Sequence, residues 1–137
     1  MKCIFCEITE NNKDEVKTVA ENDSGLVILD INPISEGHCL LITKKHFKDI
    51  RELDQETWND FLFLIKKTID YLKRSLSPKG FNFLNNMGEI SFQEILHFHL
   101  HIIPKYNKEE GFEILAKKTE KTNVDEVFQK IKTKNGL

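Results

Sequence analysis

The chain has 137 residues, 39% of them hydrophobic and 31% charged, with a net charge of −2. That length suits a single domain able to bury a core without covalent staples. The near-neutral balance argues against nucleic-acid or membrane partners, and no stretch approaches the length of a transmembrane helix.

Met1-Lys2-Cys3 leads into no signal peptide, so a cytoplasmic location is expected. Cys3-Ile4-Phe5-Cys6-Glu7-Ile8 opens the chain as a short turn or helical hook, and the polar run Asn11 to Asp14 reads as a loop. Val16–Glu21 and Leu26–Asp30 read as two strands around a turn at Asn22-Asp23-Ser24-Gly25. The turn-rich stretch Asn32 to Gly37 leads into a third strand, His38–Thr43. Asp54 is placed to cap a long helix, with Glu56 favouring its dipole. Trp58, Phe61, Leu62, Ile65, Ile69, Leu72 and Leu76 follow at helical spacing, and Pro78 and Gly80 end the pattern. Phe63 and Leu64 fall off this stripe, as extra core or as a second face for a partner.

Phe81–Asn86 reads as a fourth strand, Met87–Phe92 as a loop and His97–Ile103 as a fifth strand. Val124–Ile131 reads as a short helix capped by Thr122 or Asn123. Strands, one long helix and more strands, without regular alternation, predict an α+β fold with a mostly antiparallel sheet. The domain is expected to span 1–137, with a core over about 1–106 and 107–137 as a C-terminal extension carrying the short helix.

The densest chemistry lies in Gln93 to Pro104. His97, His99 and His101 occupy alternate positions, with Phe98, Leu100 and Ile102 between them. Period two puts imidazoles on one strand face, roughly 6.5–7 Å apart, and apolar side chains on the other.

Three cysteines, two of them in a Cys-x-x-Cys hook, argue for a metal or thiol role over a disulfide framework. Cys3 and Cys6 have the spacing of half a typical structural zinc site, the alternative being two small buried cysteines in an N-terminal turn. His46 and His97 are the natural candidates for the other half, since Cys39 stands alone. His99 and His101 then remain free. A neutral imidazole is a competent nucleophile near pH 7, and a second can steady negative charge or move a proton. Gln93 shares their strand parity and is placed to donate to a phosphate oxygen. Asp30 can accept from ribose hydroxyls, and Asn82, Asn86 and Gly88 flank the fourth strand. The competing chemistry makes all three histidines ligands of one catalytic metal.

His97-Phe98-His99-Leu100-His101-Ile102-Ile103 resembles the signature of the histidine triad (HIT) family. The Cys3–Ile8 hook, Leu29-Asp30-Ile31-Asn32-Pro33, Glu36-Gly37-His38, Lys45-His46, Asn86-Met87-Gly88 and Gln93 extend the likeness from about Cys3 to Tyr106. The resemblance implies an antiparallel sheet of about five strands with one long helix, and a homodimer joined at the long helices. It implies a hydrolase or transferase acting at the α-phosphate of purine nucleotide derivatives, either nucleoside phosphoramidates or dinucleoside polyphosphates such as diadenosine tetraphosphate.

In that likeness His99 attacks phosphorus and forms a nucleotidyl-histidine intermediate. His101, Gln93 and Asn86 serve the phosphate, Asp30 holds the ribose, and Phe5, Ile8, Ile28 and Ile31 line the base pocket. Cys3, Cys6, His46 and His97 bind one structural zinc per chain, with no organic cofactor. The chain departs from the family pattern at Phe92, where many members have glycine, and at Glu94, near the leaving group. A metal-dependent hydrolase and a non-enzymatic nucleotide-binding adaptor are the alternatives.

Overall fold

A computed structural model describes residues 3–120 and 122–137. Three helices, α1 (Ile4–Glu10), α2 (Gln55–Leu76) and α3 (Val124–Asn135), accompany five strands: β1 (Thr18–Glu21), β2 (Gly25–Leu29), β3 (Cys39–Thr43), β4 (Gly80–Leu84) and β5 (His99–Lys105). The sheet order is β1-β2-β3-β5-β4, and every neighbouring pair is antiparallel. This is the expected α+β arrangement of a five-stranded sheet with one long helix.

Both faces of the central sheet are covered, so β2 and β3 are nearly continuous apolar runs. Ala20, Val27, Cys39, Leu41 and Ile102 pack with Phe61, Leu64 and Leu72 of α2. Leu26, Ile28 and Ile42, from the alternate positions of β2 and β3, pack with Phe5 of α1. The β3–β5 register sets His99 opposite Ile42 and His101 opposite Leu40. The triad face is therefore the face that α1 covers.

The long helix begins where Asp54 accepts from the Thr57 N–H at 2.9 Å. It ends at Ser77, which takes the left-handed conformation (φ 53°) before Pro78. Its buried face differs from the expected stripe. Thr57, Phe61, Leu64, Thr68 and Leu72 form the seam, whereas Leu62 is 62% and Phe63 74% exposed. Two buried threonines carry no apolar signal, so the stripe read from leucine and isoleucine was rotated away from the true seam.

Several bounds also shift. The fifth strand starts at His99, because His97 lies in a bend turned toward α1. The first strand starts at Thr18, after a short 3-10 turn at Lys13–Glu15. The C-terminal helix is capped by Asn123 and runs on to Asn135.

Gly25 sets how closely α2 approaches the sheet. A Cβ there would lie 2.8 Å from Leu64 Cδ1 and 2.9 Å from Phe61 Cε1. Gly25→Ala is expected to destabilise by about 1–3 kcal/mol through overpacking, read as a lower urea midpoint with an unchanged slope.

Candidate active site and metal centre

The N-terminal hook brings its two thiols to the end of β3. Cys3 Sγ lies 3.4 Å from His97 Nδ1, and Cys6 Sγ lies 3.5 Å from the same nitrogen and 3.2 Å from His46 Nδ1. All four ligand atoms lie within 4.8 Å of one another. Sulfur and nitrogen bound to one tetrahedral zinc stand about 3.6 Å apart by ordinary bond lengths, so the set fits that ion. The second ring nitrogen of His97 supports the fit. Its Nε2–H donates to the Thr43 carbonyl at 2.7 Å, beside the Thr43 hydroxyl at 2.9 Å. A carbonyl only accepts, so the proton sits on Nε2 and Nδ1 keeps its lone pair for a metal. These four residues can hold a metal ion. His97 is fully buried, and burial lowers its pKa, which favours the neutral ligand form.

The remaining triad histidines are fixed by the same kind of reasoning. His99 Nδ1–H donates to the His97 carbonyl at 2.8 Å, leaving Nε2 with a free lone pair. His101 Nδ1 lies 2.9 Å from Nε2 of His38. The Ile34 N–H donates to His38 Nδ1 at 3.3 Å, so His38 Nε2 carries the proton and donates to His101. The proton of His101 is then on Nε2. Neighbouring imidazoles thus present opposite functions, a lone pair on His99 and an N–H on His101, with ring centroids 5.4 Å apart. Burial pushes the His101 pKa down to about 4 and lowers that of His38, so both are neutral at pH 7.

The three histidines do not share one ligand position. His97 Nδ1 faces the thiols, His99 Nδ1 is held by a carbonyl, and His101 Nδ1 is held by His38. This arrangement disfavours a single catalytic metal ringed by the triad.

Phe5 forms a wall of the site, with its ring edge-on to His99 at 5.1 Å and to His97 at 5.7 Å. Ile28 is buried beside it and Ile8 packs against the same cluster. Ile31 is 89% exposed, so it stands at the rim beyond β2 and lines no wall within this chain. Asp30 Oδ1 accepts from the Asn32 N–H at 2.8 Å, and Oδ2 lies 3.5 Å from His38 Nε2.

Gln93 differs from its expected use. Its Oε1 accepts from the Gly88 N–H at 2.9 Å, and its Nε2 donates to the carbonyls of Lys48 and Ile95 at 2.8 and 3.3 Å. Both N–H donors are committed, so the side chain braces the 88–95 loop and has none left for a phosphate. Asn86 Nδ2 likewise donates to the Phe92 carbonyl at 3.2 Å.

Sequence reasoning assigned no role to His38 or Thr43. His38 sits one residue before β3, where the β3–β5 pairing carries it to His101. Only the pairing register, absent from a linear reading, makes that visible.

Two outcomes follow from this geometry. Cys6→Ser is expected to lower bound zinc from one equivalent per chain toward none and to lower the thermal midpoint in step, because ligand binding to the native state is folding energy. Elemental analysis beside thermal denaturation checks this; full retention of both would remove Cys6 from the ligand set. The second concerns acid. With a folded pKa of about 4 against 6.5 unfolded, His101 takes up its proton more readily in the unfolded chain. Stability is therefore full above pH 6.5 and is lost as pH falls toward 4. His101→Asn should shallow that slope by at most about 1.4 kcal/mol per pH unit, measured by urea unfolding at a series of pH values.

The sequence of the domain also matches known proteins. The HIT domain model matches residues 11–108. Adenosine 5'-monophosphoramidase hnt1 of Schizosaccharomyces pombe is 42% identical over 111 residues, covering 81% of this chain and 80% of that protein. A crystal structure of a HIT family protein from Bacillus anthracis superposes with a TM-score of 0.86 at 35% identity, covering 98% of this chain and 95% of the other. A Zn-bound histidine triad family protein from Mycobacterium smegmatis superposes with a TM-score of 0.73 at 28% identity, over 86% and 85% of the two chains. Triad, hook and sheet register thus coincide with an extensive match in sequence and fold, and the chain belongs to the HIT domain family.

Proposed function

We propose that the protein hydrolyses purine nucleotide derivatives at the α-phosphate through a covalent nucleotidyl-histidine intermediate. The observation that carries this reading is the pair of complementary tautomers on one strand face. His99 Nε2 has a lone pair held ready by the His97 carbonyl, and His101 Nε2 has a proton held ready by His38. The name of the S. pombe relative, a monophosphoramidase, points the same way.

In this reading His99 Nε2 attacks the α-phosphorus. The phosphorus–nitrogen bond forms as the bond to the leaving group breaks. The His101 N–H donates to the phosphate oxygens, where negative charge develops, and the departing group takes its proton from solvent. Water then cleaves the phosphorus–nitrogen bond, releases a nucleoside monophosphate, returns one proton to solvent and leaves His99 neutral again. Asp30 accepts from the ribose hydroxyls, and Phe5, Ile8 and Ile28 receive the base, with Ile31 at its rim. Gln93 and Asn86 act by holding the loop beside the phosphate. Zinc on Cys3, Cys6, His46 and His97 would cross-link the hook to the strand and so hold Phe5 against His99, a structural contribution.

The reading includes one 137-residue domain and a homodimer. Exposed Leu62 and Phe63 on α2, together with the free edge of β4, support the second. Among the described residues no helix is long and apolar enough to cross a membrane; a cytoplasmic location belongs to the proposal.

Brief exposure to adenosine 5'-phosphoramidate should leave an adenylyl adduct on His99, visible by mass spectrometry. AMP release should fall about 10³-fold or more in His99→Ala. Full turnover by that variant would sink the assignment, and tight AMP binding without turnover of any nucleotide would favour an adaptor.

A further inference from the structure

Asp30, His38 and His101 bring a second group of ligand atoms together, one from each residue, all within 4.8 Å of one another. The His38–His101 separation is 2.9 Å and the His38–Asp30 separation 3.5 Å. Two donors on one metal at about 2.0–2.2 Å stand about 2.8–3.6 Å apart between octahedral and tetrahedral angles, and both spacings fall in that range. The outer oxygen of Asp30 is already anchored by main chain, since Asn32 N–H holds Oδ1. Anchoring of this kind orients ligands before a metal arrives.

A second observation, independent of spacing, points to a cation. The Asp30 side chain is 15% exposed. Among the described residues no lysine or arginine forms an ion pair with it. Its neighbours in this cluster are two imidazoles, His38 and His101. A largely buried carboxylate without a cationic partner is costly, and a bound cation offsets that cost.

We propose that Asp30, His38 and His101 form a second divalent transition-metal site, separate from the Cys3, Cys6, His46, His97 centre and antagonistic to ligand binding in the triad pocket. Two imidazoles and one carboxylate suit Zn²⁺, Co²⁺ or Ni²⁺ and leave coordination positions open; Mg²⁺ and Ca²⁺ prefer all-oxygen sets. The metal takes the place of the proton between His38 and His101. That proton moves from Nε2 to Nδ1 of His38, and the 3.3 Å contact with the Ile34 N–H is given up. This internal cost makes the site weaker than the thiolate centre and exchangeable. The antagonism rests on the nucleotide reading, because a metal on Asp30 Oδ2 occupies the carboxylate assigned there to ribose.

The test is a Co²⁺ titration of protein already holding one zinc per chain, followed by calorimetry and visible absorption. The expected result is one further equivalent per chain, without the thiolate charge-transfer absorption of a cysteine site. Asp30→Asn and His38→Gln should each weaken it at least tenfold. Paramagnetic broadening of the His38 and His101 ring signals in the unaltered protein gives the same answer without a variant. Absence of a further equivalent, or undiminished binding in both variants, overturns the site. AMP should displace the cobalt; AMP that binds while cobalt stays in place overturns the antagonism. AMP that fails to bind counts against the nucleotide reading alone, since the titration without AMP still decides the metal site.

Discussion

The His97 ring donates one hydrogen bond, 2.7 Å long, to the carbonyl of Thr43, and the rest of the site is ordered from there. That bond fixes which nitrogen of His97 faces the hook thiols. The His97 carbonyl in turn fixes the tautomer of His99 two residues on. One residue thus connects the Cys3, Cys6 and His46 cluster with the His99 imidazole through its ring on one side and its backbone on the other. Its full burial keeps water from competing for either contact.

Fold and site share the same face of the sheet. Leu26, Ile28 and Ile42 leave an apolar floor on which α1 lays Phe5, and Phe5 then touches the rings of His97 and His99. A seven-residue helix has little intrinsic stability in water. Its position depends on Phe5 burial and on the thiols at its N-terminal end, so the hook is both a ligand source and a wall. On the opposite face α2 sits close on Gly25 and leaves no slack in the sheet that carries the triad.

Much of this was legible in the chain itself. Alternation from His97 to Ile103 showed the strand face, and Cys-x-x-Cys with His46 and His97 pointed to four residues that the fold brings close enough to hold a metal ion. Asp54 and Pro78 marked the ends of the long helix. Other features needed the third dimension. Leu64 and Leu62 are equally apolar, yet Leu64 is buried beside Gly25 on the seam with Thr57, Phe61, Thr68 and Leu72 and Leu62 is exposed. Gln93 reads as a donor for ligand, yet three main-chain groups claim its amide. His38 looks like one residue in a turn until strand pairing sets it between Asp30 and His101.

The acceptors that orient His97 and His99 are both main-chain carbonyls, a feature with an evolutionary consequence. No codon change can delete a carbonyl oxygen. Point substitution at Thr43 alters a hydroxyl but leaves the acceptor in place, and the same holds for the backbone of His97. Tautomer control here is encoded in strand geometry and inherited with the fold, so flanking side chains can drift while the proton positions of His97 and His99 persist.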